Sequence, residues 1–190
     1  MTRTLKSLLA TALVLFTFHG AQADNYSDAR QVFMNAGESG AFFNNSYGYA
    51  LFPTIGKAGL GVGGAHGSGR VYAGGAHVGD TKVTQLSVGW QAGGQAYSQI
   101  IFFEDKRAFE DFTSGNFEFG AQATAVAITA SASAQATTGG GAQAGAAGGR
   151  NDATTTSGGY RKGMAVFTVA KGGLMYEAAL AGQKYSYSPK

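Results

Sequence analysis

Two lysines in matching surroundings carry the clearest hint of chemistry in this sequence. Thr54-Ile-Gly-Lys-Ala-Gly-Leu60 and Thr168-Val-Ala-Lys-Gly-Gly-Leu174 share Thr, Lys, the second Gly and Leu at a constant offset of 114 positions. Each copy follows an apolar run and precedes another. The echo therefore predicts two equivalent strand–turn–strand units with Lys57 and Lys171 at their turns. A lysine beside the N–H groups of a glycine turn can hold an anion. Arg70, Arg161 and Lys162 fall near predicted strand ends and add three more cations. Taken singly, each of these also fits a solvated surface charge.

Other tempting patterns fail on their surroundings. Gly59-Leu-Gly61-Val-Gly63-Gly64 matches G-x-G-x-x-G, with Asp80 at about the distance of a ribose-binding acid. That motif binds a dinucleotide only where it opens a helix, and a strand pattern follows here. Past residue 23 only His66 and His77 remain as histidines, and the chain has no cysteine. The two are not spaced as a helical zinc pair, and no carboxylate cluster completes a metal site. No G-x-S-x-G occurs. Four of the 11 acids gather between Glu104 and Asp111, where a solvated helix face accounts for them. The residues give no reason to expect an enzyme, a cofactor or a metal.

The elements that must hold these residues follow from composition and period. The chain has 190 residues, 44% hydrophobic and only 13% charged, with 31 Gly, 13 Phe and 9 Tyr. This is enough apolar surface for one folded domain, and the mix suits strands and tight turns. Residues 25–37 read as a helix, with Tyr26, Ala29, Val32, Phe33 and Ala36 on one face and Gly37 as its stop. Tyr49–Phe52 reads as a strand with Pro53 at its edge or end. From Thr81 to Gln95 the residues alternate, with Leu86, Val88, Trp90 and Ala92 opposed to Gln85, Ser87, Gly89 and Gln91, which implies one buried face, that of Leu86, and one polar or wet face. Ile100–Phe103 is continuously apolar and predicts burial on both faces. Asp105 is set to cap a helix that ends at Gly115 and buries Ala108, Phe109 and Phe112. Strands resume at Phe117–Ile128, Met164–Val169 and Leu174 to about Tyr187. Residues 130–159 contain no aromatic, Leu, Ile or Val, and read as a flexible Ala/Gly/Ser/Thr loop. The expected fold class is α+β: a mainly antiparallel, twisted, barrel-like sheet with an N-terminal helix and one inserted helix.

The first 23 residues read as a signal peptide. Arg3 and Lys6 precede an apolar run from Leu8 to Phe18, and Ala21-Gln22-Ala23 supplies a small-x-small cleavage pattern. The expectation is export, with cleavage between Ala23 and Asp24 and a periplasmic or envelope-associated product. A helical segment over 24–48 and the main domain over 49–190 follow. Cleavage would remove two cations and no acid, leaving 12 − 11 = +1. Such a balance argues against a polybasic nucleic-acid binder.

Four blocks in order resemble the SYLF domain. They are Ala50-Leu-Phe-Pro-Thr-Ile-Gly-Lys-Ala-Gly-Leu-Gly-Val-Gly-Gly64, Gly93-Gly-Gln-Ala-Tyr-Ser-Gln-Ile-Ile-Phe-Phe103, Ser114-Gly-Asn-Phe-Glu-Phe-Gly-Ala-Gln-Ala123, and Lys171-Gly-Gly-Leu-Met-Tyr-Glu-Ala178 with Gly182-Gln-Lys184. The resemblance implies a non-enzymatic lipid-binding domain. Eukaryotic members bind phosphoinositides and other anionic lipids, and some organise actin at membranes. An exported chain without an attached partner domain departs from that setting, which makes actin an unsuitable partner and anionic phospholipids of a bacterial envelope the expected one. On this reading Lys57, Lys171, Arg70, Arg161 and Lys162 would meet headgroup phosphates, and Phe42 with Phe43 would touch acyl chains. The competing expectation is a structural or protein-interaction module of the envelope.

Overall fold

The computed structural model describes residues 21–120, 124–128, 159–171, 178–180 and 182–190. Most of the expected signal peptide, the 130–159 loop up to residue 158 and the start of the strand expected from Leu174 lie outside these residues.

Three helices open the described chain: α1 (Ala21–Asn35), α2 (Gly37–Gly40) and α3 (Phe42–Asn45). Ala29, Phe33 and Ala36 are buried, so the expected apolar face packs on the sheet. The sheet is dominated by two very long strands, β1 (Gly48–Ala73) and β2 (Ala76–Phe103). They form an antiparallel hairpin turned by Gly74 and Gly75, which have φ of 56° and 81°. After β2 come α4 (Lys106–Thr113), β3 (Phe117–Glu118), β4 (Thr124–Ile128), β5 (Met164–Lys171), β6 (Ala178–Ala179) and β7 (Gln183–Pro189). The strand path is β3-β7-β2-β5-β4-β6, with β1 on β2. Among the described residues only β4–β5 is parallel. The result is a curled antiparallel half-barrel with helices, the α+β class expected.

β2 holds the sheet together through different sections of its length. Gly79–Gln85 pairs with β7, and Ala96–Phe103 pairs with β5. Ile100, Ile101, Phe102 and Phe103 are fully buried, because this section carries a core on each face. Ile101 and Phe103 join Phe52, Phe112 and Tyr185 on one side. Ile100 and Phe102 join Phe33, Tyr49 and Phe167 on the other. Asp105 caps α4 as expected, accepting from Ala108 N at 2.8 Å, and Gly115 follows with φ of 94°.

The ribbon β1–β2 folds back on itself. A Cβ on Gly69 would lie 2.6 Å from Phe52 Cδ1 and 2.8 Å from Leu51 O. One on Gly67 would lie 2.7 Å from Ile55 Cγ1. One on Gly59 would lie 2.6 Å from Val62 O. The two arms of β1, residues 48–59 and 63–73, therefore face each other with side chains of the first lying on bare backbone of the second. A register shift between Gly59 and Gly61 marks the corner. This explains the G-x-G-x-x-G pattern: its glycines bend a strand, and no helix follows.

Three expectations need correction. Pro53 does not end its strand; β1 runs through it, with a register shift between Phe52 and Ile55 that accommodates the missing N–H. Lys57 is inside β1 and not at a turn. The alternation near residue 85 holds, but the polar residue faces inward: Gln85 is buried and Leu86 is 75% exposed. Gln85 turns inward because the core there is itself polar. Gln99 Nε2 donates to Tyr185 Oη at 2.7 Å, Tyr185 Oη donates to Gln183 Oε1, and Gln183 Nε2 donates to Tyr97 Oη at 3.1 Å and Gln85 Oε1 at 3.5 Å.

Candidate functional site

Lys57 and Lys171 are brought together, though by a different route from two equivalent turns. Lys57 pairs with Gln95 on β2, and Lys171, the last residue of β5, pairs with the next residue, Ala96. Both lysines line one cavity of about 590 Å³. Gly56, Ala58, Gly64, Ala65, His66 and the backbone neighbourhood of Gly94–Ala96 complete its wall. The cavity exists because the corner of the ribbon places both arms of β1 beside the end of β5. Residues 56–58 come from one arm and 64–66 from the other.

The site is cationic. Lys171 Nζ donates to Thr54 Oγ1 at 2.8 Å, which holds its chain across the end of β2 onto β1. No described carboxylate lies within 4.0 Å of Lys57 or Lys171; the ion pairs among the described residues involve His77, Lys106, Arg107 and Lys184. His66 adds an imidazole to the wall, and the small residues around it leave backbone open to a ligand. By register Lys171 shares a sheet face with Ala96 and Gly56, and Lys57 shares the other with Gln95, so the two side chains leave opposite faces of the ladder and are brought together only as lining of the recess. Ammonium groups, an imidazole and glycine backbone are groups that can donate to an oxyanion such as a phosphate. Among the described residues no group of three His, Cys, Asp or Glu side chains could hold a metal ion.

The other three cations are elsewhere. Arg70 stacks on the Tyr26 ring, 4.2 Å from its centroid, and so helps fasten α1 to the second arm of β1. Arg161 and Lys162 form the tight turn before β5, where Arg161 bridges to Met164 and Lys162 has φ of 51°. That turn is at the opposite end of the 8-residue β5 from Lys171, about 23 Å away at the usual strand rise. None of the three lines the cavity.

Phe42 and Phe43 do not form a free apolar surface. Phe42 packs on Phe102, Tyr160 and Phe167 with centroids 5.4, 5.1 and 5.1 Å away. Phe43 packs on Phe102 and Tyr49 at 4.9 and 5.2 Å, with Arg30 over its ring. These aromatic contacts fix α3 to the core. Among the described residues the most exposed large apolar side chains are Val62, 62% exposed, and Leu86, 75% exposed, ahead of Tyr47 and Met34. Sequence reasoning missed them by placing Leu86 on the inner side, and it missed His66 by testing the histidines only as metal ligands. The twofold period and the glycine-rich partner strand were the available signals for an exposed Leu86.

The fold and cavity together define a curled α+β module with an open cationic recess and, among the described residues, no helix long and apolar enough to cross a membrane. The family model described as Ysc84, Las17-binding protein actin regulator, matches residues 84–188. That span is more than half of the chain, and the chain belongs to this family, whose domain is the SYLF domain. It includes Lys171 but begins after Lys57 and His66. Membership supports a lipid-binding, membrane-associated or interaction module. No curated protein matches the chain.

Proposed function

We propose that this domain is a non-enzymatic binder of anionic phospholipid, taking a headgroup phosphate between Lys57 and Lys171. The observation that carries the reading is the shared cavity: two cations 114 positions apart in sequence line one recess, with glycine backbone and His66 beside them. The family's association with membranes agrees with it. Each lysine near an anionic surface contributes about 1 kcal/mol, so the site alone gives weak, salt-sensitive binding. The basic, apolar and Ala-x-Ala layout of the first 23 residues supports action in a bacterial envelope after export. N-terminal sequencing of protein from the periplasmic fraction should then begin at Asp24.

The test is sedimentation with vesicles of phosphatidylglycerol in phosphatidylcholine. The protein should bind, release as salt rises, and lose at least about tenfold in affinity in the Lys57→Glu/Lys171→Glu double variant. Undiminished binding by that variant overturns the site.

The family's description, which names Las17 binding and actin regulation, favours a second reading as a protein-docking module. Equal absence of binding to neutral and anionic vesicles would select it.

A further inference from the structure

We infer that the ribbon corner is the membrane-facing tip of the domain, with Val62 and Leu86 entering the acyl boundary of an anionic bilayer while the adjoining cavity takes the headgroup. The inference rests on the phospholipid-binding reading above and adds the surface and orientation that the cavity alone does not give. Val62 and Leu86 are the two most exposed large apolar side chains among the described residues, at 62% and 75%. They share a sheet face: Leu86 stands opposite Gly64, two residues from Val62, and residues two apart on a strand point the same way. Gly64 between them carries no side chain; a Cβ there would meet only Gln85 O, at 3.4 Å. The pair therefore stands clear of its surroundings.

Position and charge select the occupant. Gly64, Ala65 and His66 follow Val62 on β1 and form a wall of the cavity that Lys57 and Lys171 line. Gly64 is also the β1 partner of Leu86, so the cavity lined by the cations adjoins the apolar pair, the order in which a bilayer presents phosphates and acyl chains. From Leu86 to Gln95, β2 continues the ladder with β1 around the corner. Phe42 and Phe43 cannot serve in its place, since both pack against Phe102.

The chain has no cysteine, so single cysteines can be labelled cleanly. Val62→Cys, Leu86→Cys and, beside the aromatic pair, Asn44→Cys would each carry an environment-sensitive fluorophore on the full chain. With phosphatidylglycerol-containing vesicles, the labels at 62 and 86 should shift to the blue and be quenched by nitroxide-bearing lipid, while the label at 44 should not. Val62→Ser/Leu86→Ser should weaken sedimentation about tenfold and leave its salt dependence in place. Bound protein whose labels at 62 and 86 stay unchanged, or whose label at 44 responds instead, overturns the inference and leaves phospholipid binding standing. Protein that does not sediment with the vesicles overturns both.

Discussion

The Lys171 ammonium donates to the Thr54 hydroxyl at 2.8 Å, joining the last residue of β5 to the first arm of β1 across 117 positions of sequence. The contact is exposed, so it orients Lys171 more than it stabilises the fold. Thr54→Val should change unfolding free energy by less than about 1 kcal/mol, while weakening vesicle binding less than Lys171→Met does. Urea titration and sedimentation on the same two variants check this. A Thr54→Val variant that unfolds far more easily would make the contact structural.

The buried tyrosine at position 185 should be costly to trim. Its hydroxyl accepts from Gln99 and donates to Gln183, and all three residues are at most 2% exposed. Tyr185→Phe leaves two buried amides short of partners and should cost about 1–3 kcal/mol. Gln99→Met added to it should not restore that loss, because Gln183 Oε1 then lacks both of its donors, Tyr185 Oη and Gln99 Nε2 at 3.3 Å. Denaturant unfolding of the single and double variants measures both steps.

Alkaline pH should loosen the same interior. Burial pushes Tyr97 up to about 12 from its ordinary 10.0, partly offset by the hydrogen bond from Gln183. Burial also raises Tyr185 well above its ordinary value. The folded state thus keeps these protons more tightly than the unfolded chain. The stability they contribute is fully present below pH 10 and declines as pH rises through 12. Tyr97 alone corresponds to about 2–3 kcal/mol. Unfolding midpoints at pH 8, 10 and 11.5 should fall across that window, and Tyr97→Phe should flatten the fall.

Gly69 tests the folded-back ribbon. A methyl group there meets the Phe52 ring at 2.6 Å and Leu51 O at 2.8 Å, and the backbone oxygen cannot step aside. Gly69→Ala should destabilise by about 1–3 kcal/mol. Gly56→Ala, where nothing lies within 4 Å, should stay within about 0.5 kcal/mol. Equal melting of the two variants would mean that the arms do not press together.

Local patterns in the sequence carried over well where neighbouring residues decide the outcome. Asp105 and Gly115 bound α4, the face of Ala29, Phe33 and Ala36 packs α1, and the run Ile100–Phe103 is buried on both sides. Features set by distant partners did not. Gln85 points inward because Gln99, Gln183 and Tyr97 form a polar interior there, and those partners come from the far end of β2 and from β7. Phe42 and Phe43 looked free until Phe102 and Phe167 were brought beneath them. The pairing of Lys57 with Lys171 was visible as an echo, but the echo suggested symmetric turns. What joins them is a single strand bent at glycines against the end of another.

β7 has a further consequence for how the protein is made. Its residues Gln183 and Tyr185 seal the polar interior, and Thr81 on β2 waits for Tyr187, more than a hundred positions later. Contacts of such separation fold slowly. On the ribosome the long hairpin would emerge well before its closing strand, with one edge bare and prone to wrong pairing. Completion of the fold is then tied to the arrival of the tail, and chaperone attention during synthesis should fall on the unsealed hairpin.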